Sequence, residues 1–120
     1  MSEEIKRERW ATFFNTFSKL NQARPTRLEI FGELGAQEEE RHLPFNGISL
    51  EDAGEGAPKL EILLGGTSPS DARHLTHTVK RVQHVSSKAA ADGRDEALEI
   101  QDAEGTRTLL RFESPATLQA

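Results

Sequence analysis

The sequence predicts an α+β fold. An N-terminal amphipathic helix packs on a strongly bent antiparallel sheet of about six to eight short strands, which approaches a small barrel. Three observations point there. Aromatic residues recur at steps of three and four up to about residue 21. Beyond Pro25 the apolar period changes to two. No helical pattern separates the later strands, which argues against parallel βαβ units.

The helix is expected over roughly residues 4 to 21. Trp10, Phe13, Phe14, Phe17 and Leu20 fall within a stripe about 120° wide at about 100° per residue. Glu3 and Glu4 sit where the helix dipole favours anions. Pro25 forbids continuation and pushes Arg24 towards extended backbone. The stripe holds the single Trp and three of the six Phe. A helix this aromatic must cover something, so it is expected to pack on a sheet rather than to stand free for a partner.

After Pro25, Leu28, Ile30 and Leu34 share one parity and Phe31 the other. Ala36 to His42 reads as a very polar edge strand or exposed hairpin arm. "LPFNG" is expected to break the chain at Pro44, Asn46 and Gly47. "ISLE" is a short strand, "DAGEGAP" a turn, and Lys59 to Leu64 a strand with Leu60, Ile62 and Leu64 on one face. "GGTSPSD" is a loop. His74 to Val79 follows as a strand, Val82 to Val85 as another or as its continuation, and "SKAAADGRDE" as a second loop.

The clearest hairpin is "ALEIQDAEGTRTLLRF". Asp102 and Gly105 flank Ala103 and Glu104 as a type I turn with a glycine bulge requires. If Asp102 pairs with Thr106, Ile100 faces Thr108 and Leu98 faces Leu110. On the other side Gln101 then faces Arg107, Glu99 faces Leu109 and Ala97 faces Arg111. The chain reads as one domain over residues 1–113 with a frayed tail at 114–120.

Composition removes several function classes. The chain is 35% hydrophobic and 29% charged, with a net charge of -5 and a pI near 5.4. Lys and Arg are scattered among acidic stretches, so no nucleic-acid surface is expected. Without cysteine there is no disulfide, thiolate nucleophile or Cys-ligated metal. No apolar run approaches a membrane span, and Met1-Ser2-Glu3-Glu4 lacks a signal pattern. A cytoplasmic protein is expected.

"HLTHTVKRVQH" carries His74, His77 and His84. On a strand His74 and His77 face opposite ways and cannot share one ion. The β-branched Thr76, Thr78 and Val79 favour a strand over a helix. His77 then points inward with Leu75 and Val79, and His74 lies half exposed with Thr76 and Thr78. Asp71-x-x-His74-x-x-His77 is no metal signature, and neither a metal nor a cofactor is expected. No Gly-x-Ser-x-Gly elbow or phosphate loop is present, so no catalytic residue is assigned. Arg107 and Arg111 share strand parity and could clamp a small anion, against which stands cross-strand pairing with Glu99.

Four blocks carry a resemblance: Trp10, Phe13, Phe14, Phe17, Ser18 and Asn21 as "W..FF..FS..N"; "RLEI...LGAQ" at Arg27 to Gln37; "LPFNGIS" at Leu43 to Ser49; and "LEI.DA.GTRTLLRF" at Leu98 to Phe112. Together they resemble a bacterial family of unknown function, number 5335, across nearly the whole chain. Members often carry a "DH" pair where this chain has Thr76-His77. The resemblance implies a self-contained bacterial domain and no reaction.

Three readings remain. The first is a noncatalytic protein-interaction or self-association module, with a protein partner or homodimer, using the polar segment around Gln37 to His42. The second is a small-ligand binder or enzyme with a pocket between helix and sheet, lined by Trp10, Phe14 and His77 with Arg107 or Arg111 at its mouth. His74 completes the ligand candidates. A histidine–carboxylate metal binder is a further alternative.

Overall fold

The computed structural model describes residues 2–32, 35–65 and 74–113, with the backbone alone over 36–42. Leu34, most of the "GGTSPSD" loop and the tail at 114–120 lie outside the described residues.

The elements are β1 (Ser2–Glu4), a 3-10 turn (Arg7–Arg9), α1 (Trp10–Leu20), β2 (Pro25–Gly32), β3 (Gly35–Glu51), β4 (Lys59–Gly65), β5 (His74–Val79), β6 (Val82–Ala89), β7 (Asp95–Asp102) and β8 (Arg107–Phe112). They form one helix on an eight-stranded sheet of order β1-β6-β7-β8-β2-β3-β4-β5, antiparallel throughout. The sheet is bent but not closed into a barrel, and β1 and β5 are its two ends. The chain passes from β5, at one end, to β6, beside the other, through Lys80 and Arg81 alone. Three Cα steps span at most about 11 Å. The sheet must therefore curl until its ends meet at this corner. Arg81, in the left-handed region at φ 51, donates its N–H to Gly56 O and accepts from Ala103 N–H. These bonds tie the corner to two turns.

The helix begins later than its amphipathic pattern suggests. Ser2–Glu4 is extended and pairs with β6, Glu3 opposite Ser87. Ile5 donates to Val85 O and enters the core at 9% exposure. Anions in a first helical turn contribute only about 0.3–1 kcal/mol, less than burying an isoleucine. The strand wins, and the helix starts at Trp10, whose Nε1 donates to Ile5 O at 3.0 Å.

The buried face of α1 runs through Trp10, Phe14 and Phe17 to Asn21, each at 2% exposure or less. Phe13 packs beside it, partly buried. Leu20, expected in the stripe, is 71% exposed. It falls at the edge of the i, i+4, i+7, i+11 row, and Asn21 takes the inner place. Phe17 contacts Phe45 edge-on and Phe112 at a tilt, both at 5.6 Å between centroids. These rings seal the helix against the concave face, where Leu28, Leu43, Leu60, Ile62, Val85, Leu98, Ile100 and Leu110 are buried.

"LPFNG" does not break the chain. β3 runs through it, with Pro44 opposite Pro25 at the end of β2 and a bulge at Asn46, where Phe45 and Gly47 face Leu64 and Leu63. A bulge absorbs the extra residue without ending the strand. Residues 36–42 form the expected hairpin arm on β2, with β4 joining from Phe45 onward. The expected loop at 87–96 shrinks to Ala90–Arg94, because β6 continues to Ala89. The C-terminal hairpin has the register expected, from Ala97 opposite Arg111 to Gln101 opposite Arg107. Asp102 Oδ1 accepts from the N–H groups of Glu104 and Thr106.

Candidate functional site

The candidate ligand residues do not converge. Trp10 is 1% exposed with its indole N–H satisfied, and the Arg7 guanidinium lies 4.5 Å over its ring. It anchors the helix and presents no face to solvent. Arg107 and Arg111 share a face as their spacing requires, but it is the outer face, and both are about half exposed. Four strand spacings separate β8 from β5 in the sheet order, about 19 Å of arc. Neither of the two hollows that border α1 is lined by Trp10, His77 or the two arginines.

The arginines are occupied. Arg107 lies 4.0 Å from Glu99, the expected partner. Arg111 instead meets Glu29 of β2 at 3.2 Å. It stands directly opposite Arg27, which reaches the other oxygen of Glu29 at 3.7 Å. Like charges opposite one another destabilise a sheet. The Glu29 carboxylate between them offsets that repulsion and fills the space an anion would take. Arg27 and Arg111 are about half exposed and Glu29 is 18% exposed, so the pairs are partly screened and contribute on the order of 1 kcal/mol.

His74 and His77 lie on β5 and face opposite ways. His74, Thr76 and Thr78 are exposed, whereas Leu75 and His77 are half buried and Val79 is buried. β5 pairs with β4 through Leu64–Leu75, Ile62–His77 and Leu60–Val79. The β4 members of that inner row are fully covered, at 2% exposure or less. One strand further out, Leu75 and His77 are not. The apolar face thus runs out into solvent at β5, and no described strand pairs with its outer edge. Its six residues include no Asp, Glu, Lys, Arg or Pro.

The other edges without a described partner strand differ. β1 is three residues long and reads Ser-Glu-Glu. The overhanging arm of β3 carries Glu38, Glu39, Glu40 and Arg41 in its sequence. Short length and charge are the usual protections of a strand edge, and β5 has neither.

Two hollows border α1. One, about 480 Å3, lies between β1 and the helix and is lined by Glu3, Lys6, Arg9, Thr12, Phe13 and Thr16 among others. The other, about 350 Å3, lies between the helix and β3 beside Phe14, Asn15, Leu50 and Asp52. Among the described residues no group of three or more His, Asp or Glu side chains is placed to hold a metal ion, and no helix is long and apolar enough to cross a membrane.

Below the helix sits a polar node that sequence periodicity does not reveal. Asn21 Nδ2 donates to Phe17 O at 2.9 Å and to Asp95 Oδ2 at 2.8 Å. Arg24 donates to Asn21 Oδ1 and Asp95 O while lying 4.3 Å over the Phe112 ring. Burial, and secondarily the nearby Arg94 charge, lower the Arg24 pKa from its usual value. Ser18 forms a second clip: its Oγ donates to Ile48 O at 3.2 Å and accepts from Ile48 N–H at 2.9 Å.

A family model described as Family of unknown function (DUF5335) matches residues 1–120, the whole chain. The chain belongs to DUF5335. No curated protein and no solved structure matches it. The blocks that carry the DUF5335 resemblance do structural work in this fold. Trp10, Phe14 and Phe17 are core, Ser18 and Asn21 are the two clips, and the final block is the β7–β8 hairpin.

Proposed function

We propose that this DUF5335 domain, residues 1–113 acting as one unit, is a noncatalytic interaction module. It takes an extended polypeptide strand along the outer edge of β5. The observation that carries this reading is the combination at β5 of an edge that has no Asp, Glu, Lys or Arg and no described strand beside it with half-exposed Leu75 and His77 on its inner face. Strand addition supplies backbone hydrogen bonds for affinity, and the flanking side chains select alternate residues of the guest. A guest with apolar residues at alternate positions would extend the row Leu64–Leu75 and Ile62–His77. The interaction face is therefore β5 rather than the segment Gln37 to His42, whose charges oppose pairing.

Selection from a displayed library of random linear peptides tests this. Wild-type domain is expected to enrich peptides with alternating apolar residues. The Thr76→Lys variant, altered on the exposed face, is expected to bind them at least tenfold more weakly. Enriched peptides that bind both proteins equally would contradict the reading.

A second reading, a small-ligand site, draws on the hollow between β1 and α1, whose 480 Å3 falls within the range of about 300–1,000 Å3 typical of such sites. Fragment screening by amide chemical shifts distinguishes the two. Shifts clustered on Lys6, Arg9 and Thr16 would favour the hollow, and shifts confined to β4 and β5 the edge.

A further inference from the structure

We propose that the strand added to β5 is β5 of a second copy of this chain, antiparallel across a two-fold axis at His77. This rests on the strand-addition reading above and specifies its guest. The argument is the self-complementarity of the strand, which reads Leu75-Thr76-His77-Thr78-Val79. About His77 it is palindromic in residue class. In an antiparallel pair centred there, Leu75 faces Val79 of the other copy, Thr76 faces Thr78, and His77 faces His77. Opposite residues share a face of the sheet. The axis therefore places inner-face residues beside inner-face residues and exposed threonines beside exposed threonines. Threonine pairs and apolar pairs are favourable cross-strand combinations, and no Asp, Glu, Lys or Arg meets its like within these five residues.

The other edges lack this property. Self-pairing of β1 sets Glu3 and Glu4 against the same acidic stretch, and the β3 arm carries three consecutive glutamates. A β5–β1 contact would be head-to-tail and would build a ring or an open filament rather than a two-fold dimer. The two-fold β5 pair closes. It continues the sheet from one copy into the next and covers Leu75 and His77, the inner-face positions left half exposed. Five residue pairs bury less than the roughly 1,200 Å2 of a standard stable interface. The association is accordingly weak and concentration-dependent.

The absence of cysteine makes the register directly readable. Thr76→Cys and Thr78→Cys, both on the exposed face, are prepared separately and oxidised mildly at high micromolar concentration, alone and mixed. His77→Cys is oxidised alone. Successive pairs of an antiparallel ladder alternate between close and wide spacing. Thr76–Thr78 and His77–His77 therefore sample both kinds, whichever is the closer. The expected result is a disulfide dimer from the Thr76→Cys and Thr78→Cys mixture, from His77→Cys alone, or from both. Neither threonine variant should cross-link alone. Self-cross-linking of Thr76→Cys would place the axis elsewhere and overturn the proposal. So would no dimer from any of the three together with a single 13.3 kDa species for the wild type in sedimentation. In that event, peptides still lost on Thr76→Lys substitution would preserve strand addition with a different guest. Their absence as well would remove both.

Discussion

Phe17→Ala tests the packing of the helix. Phe17 is 2% exposed and sits among the rings of Phe13, Phe45 and Phe112, with centroids 5.5 to 5.6 Å away. Truncating a buried phenylalanine costs about 3–5 kcal/mol, and aromatic contacts contribute about 0.5–1.5 kcal/mol per pair within that figure. A domain of this size has roughly 5–15 kcal/mol in total, so the variant should retain between about 0 and 12 kcal/mol. With a urea slope of about 2 kcal/mol per M, the midpoint should fall by roughly 2 M. The single Trp10, 1% exposed, reports unfolding by fluorescence. Phe17→Leu, which keeps more of the volume, should lose less and gives a second point if the alanine variant unfolds in buffer. Leu20→Ala is the internal control. Its parent side chain is 71% exposed, and the change should stay within about 0.5 kcal/mol. A loss below about 1 kcal/mol for Phe17→Ala, or equal losses at positions 17 and 20, would show that the helix does not seal the sheet.

Three other substitutions probe the polar clips and the outer face. Ser18→Ala removes both bonds to Ile48 and should cost about 1–2 kcal/mol in the same urea assay, with faster amide exchange at Ile48. Asn21→Ala strips partners from Asp95 and Arg24 and should cost about 1–3 kcal/mol, with Arg24 side-chain exchange rising in parallel. A double-mutant cycle on Glu29 and Arg111 should return a coupling of about 0.2–1 kcal/mol that shrinks as salt is raised.

The sequence made local features legible and non-local ones opaque. The register from Ala97–Arg111 to Gln101–Arg107 was readable because Asp102 and Gly105 define a short turn that fixes everything behind it. The opposite facing of His74 and His77 followed from the period of a strand alone. Trp10, Phe14 and Phe17 could be assigned to one buried face from their spacing. Ser2–Glu4 could not be seen as a strand, because its partner Ser86–Lys88 lies more than 80 residues away and Ser-Glu-Glu has little strand preference. Arg111 found Glu29 rather than Glu99 because β8 pairs with β2 as well as β7, a neighbour no local pattern announces. The continuity of β3 through Pro44 was hidden because the residues that usually end a strand here sit at a bulge and at the end of the β2 ladder. Which edge stays open is likewise a property of strand order.

Residue-resolved amide hydrogen exchange along β4 and β5 is the most direct measurement of the central claim. In dilute solution, alternate amides of Leu75–Val79, those aimed away from β4, should exchange far faster than the amides of Leu60–Leu64. They should gain protection as concentration rises. Uniform protection of β5 at high dilution, equal to that of β4 and unchanged by concentration, would mean that its edge is already covered.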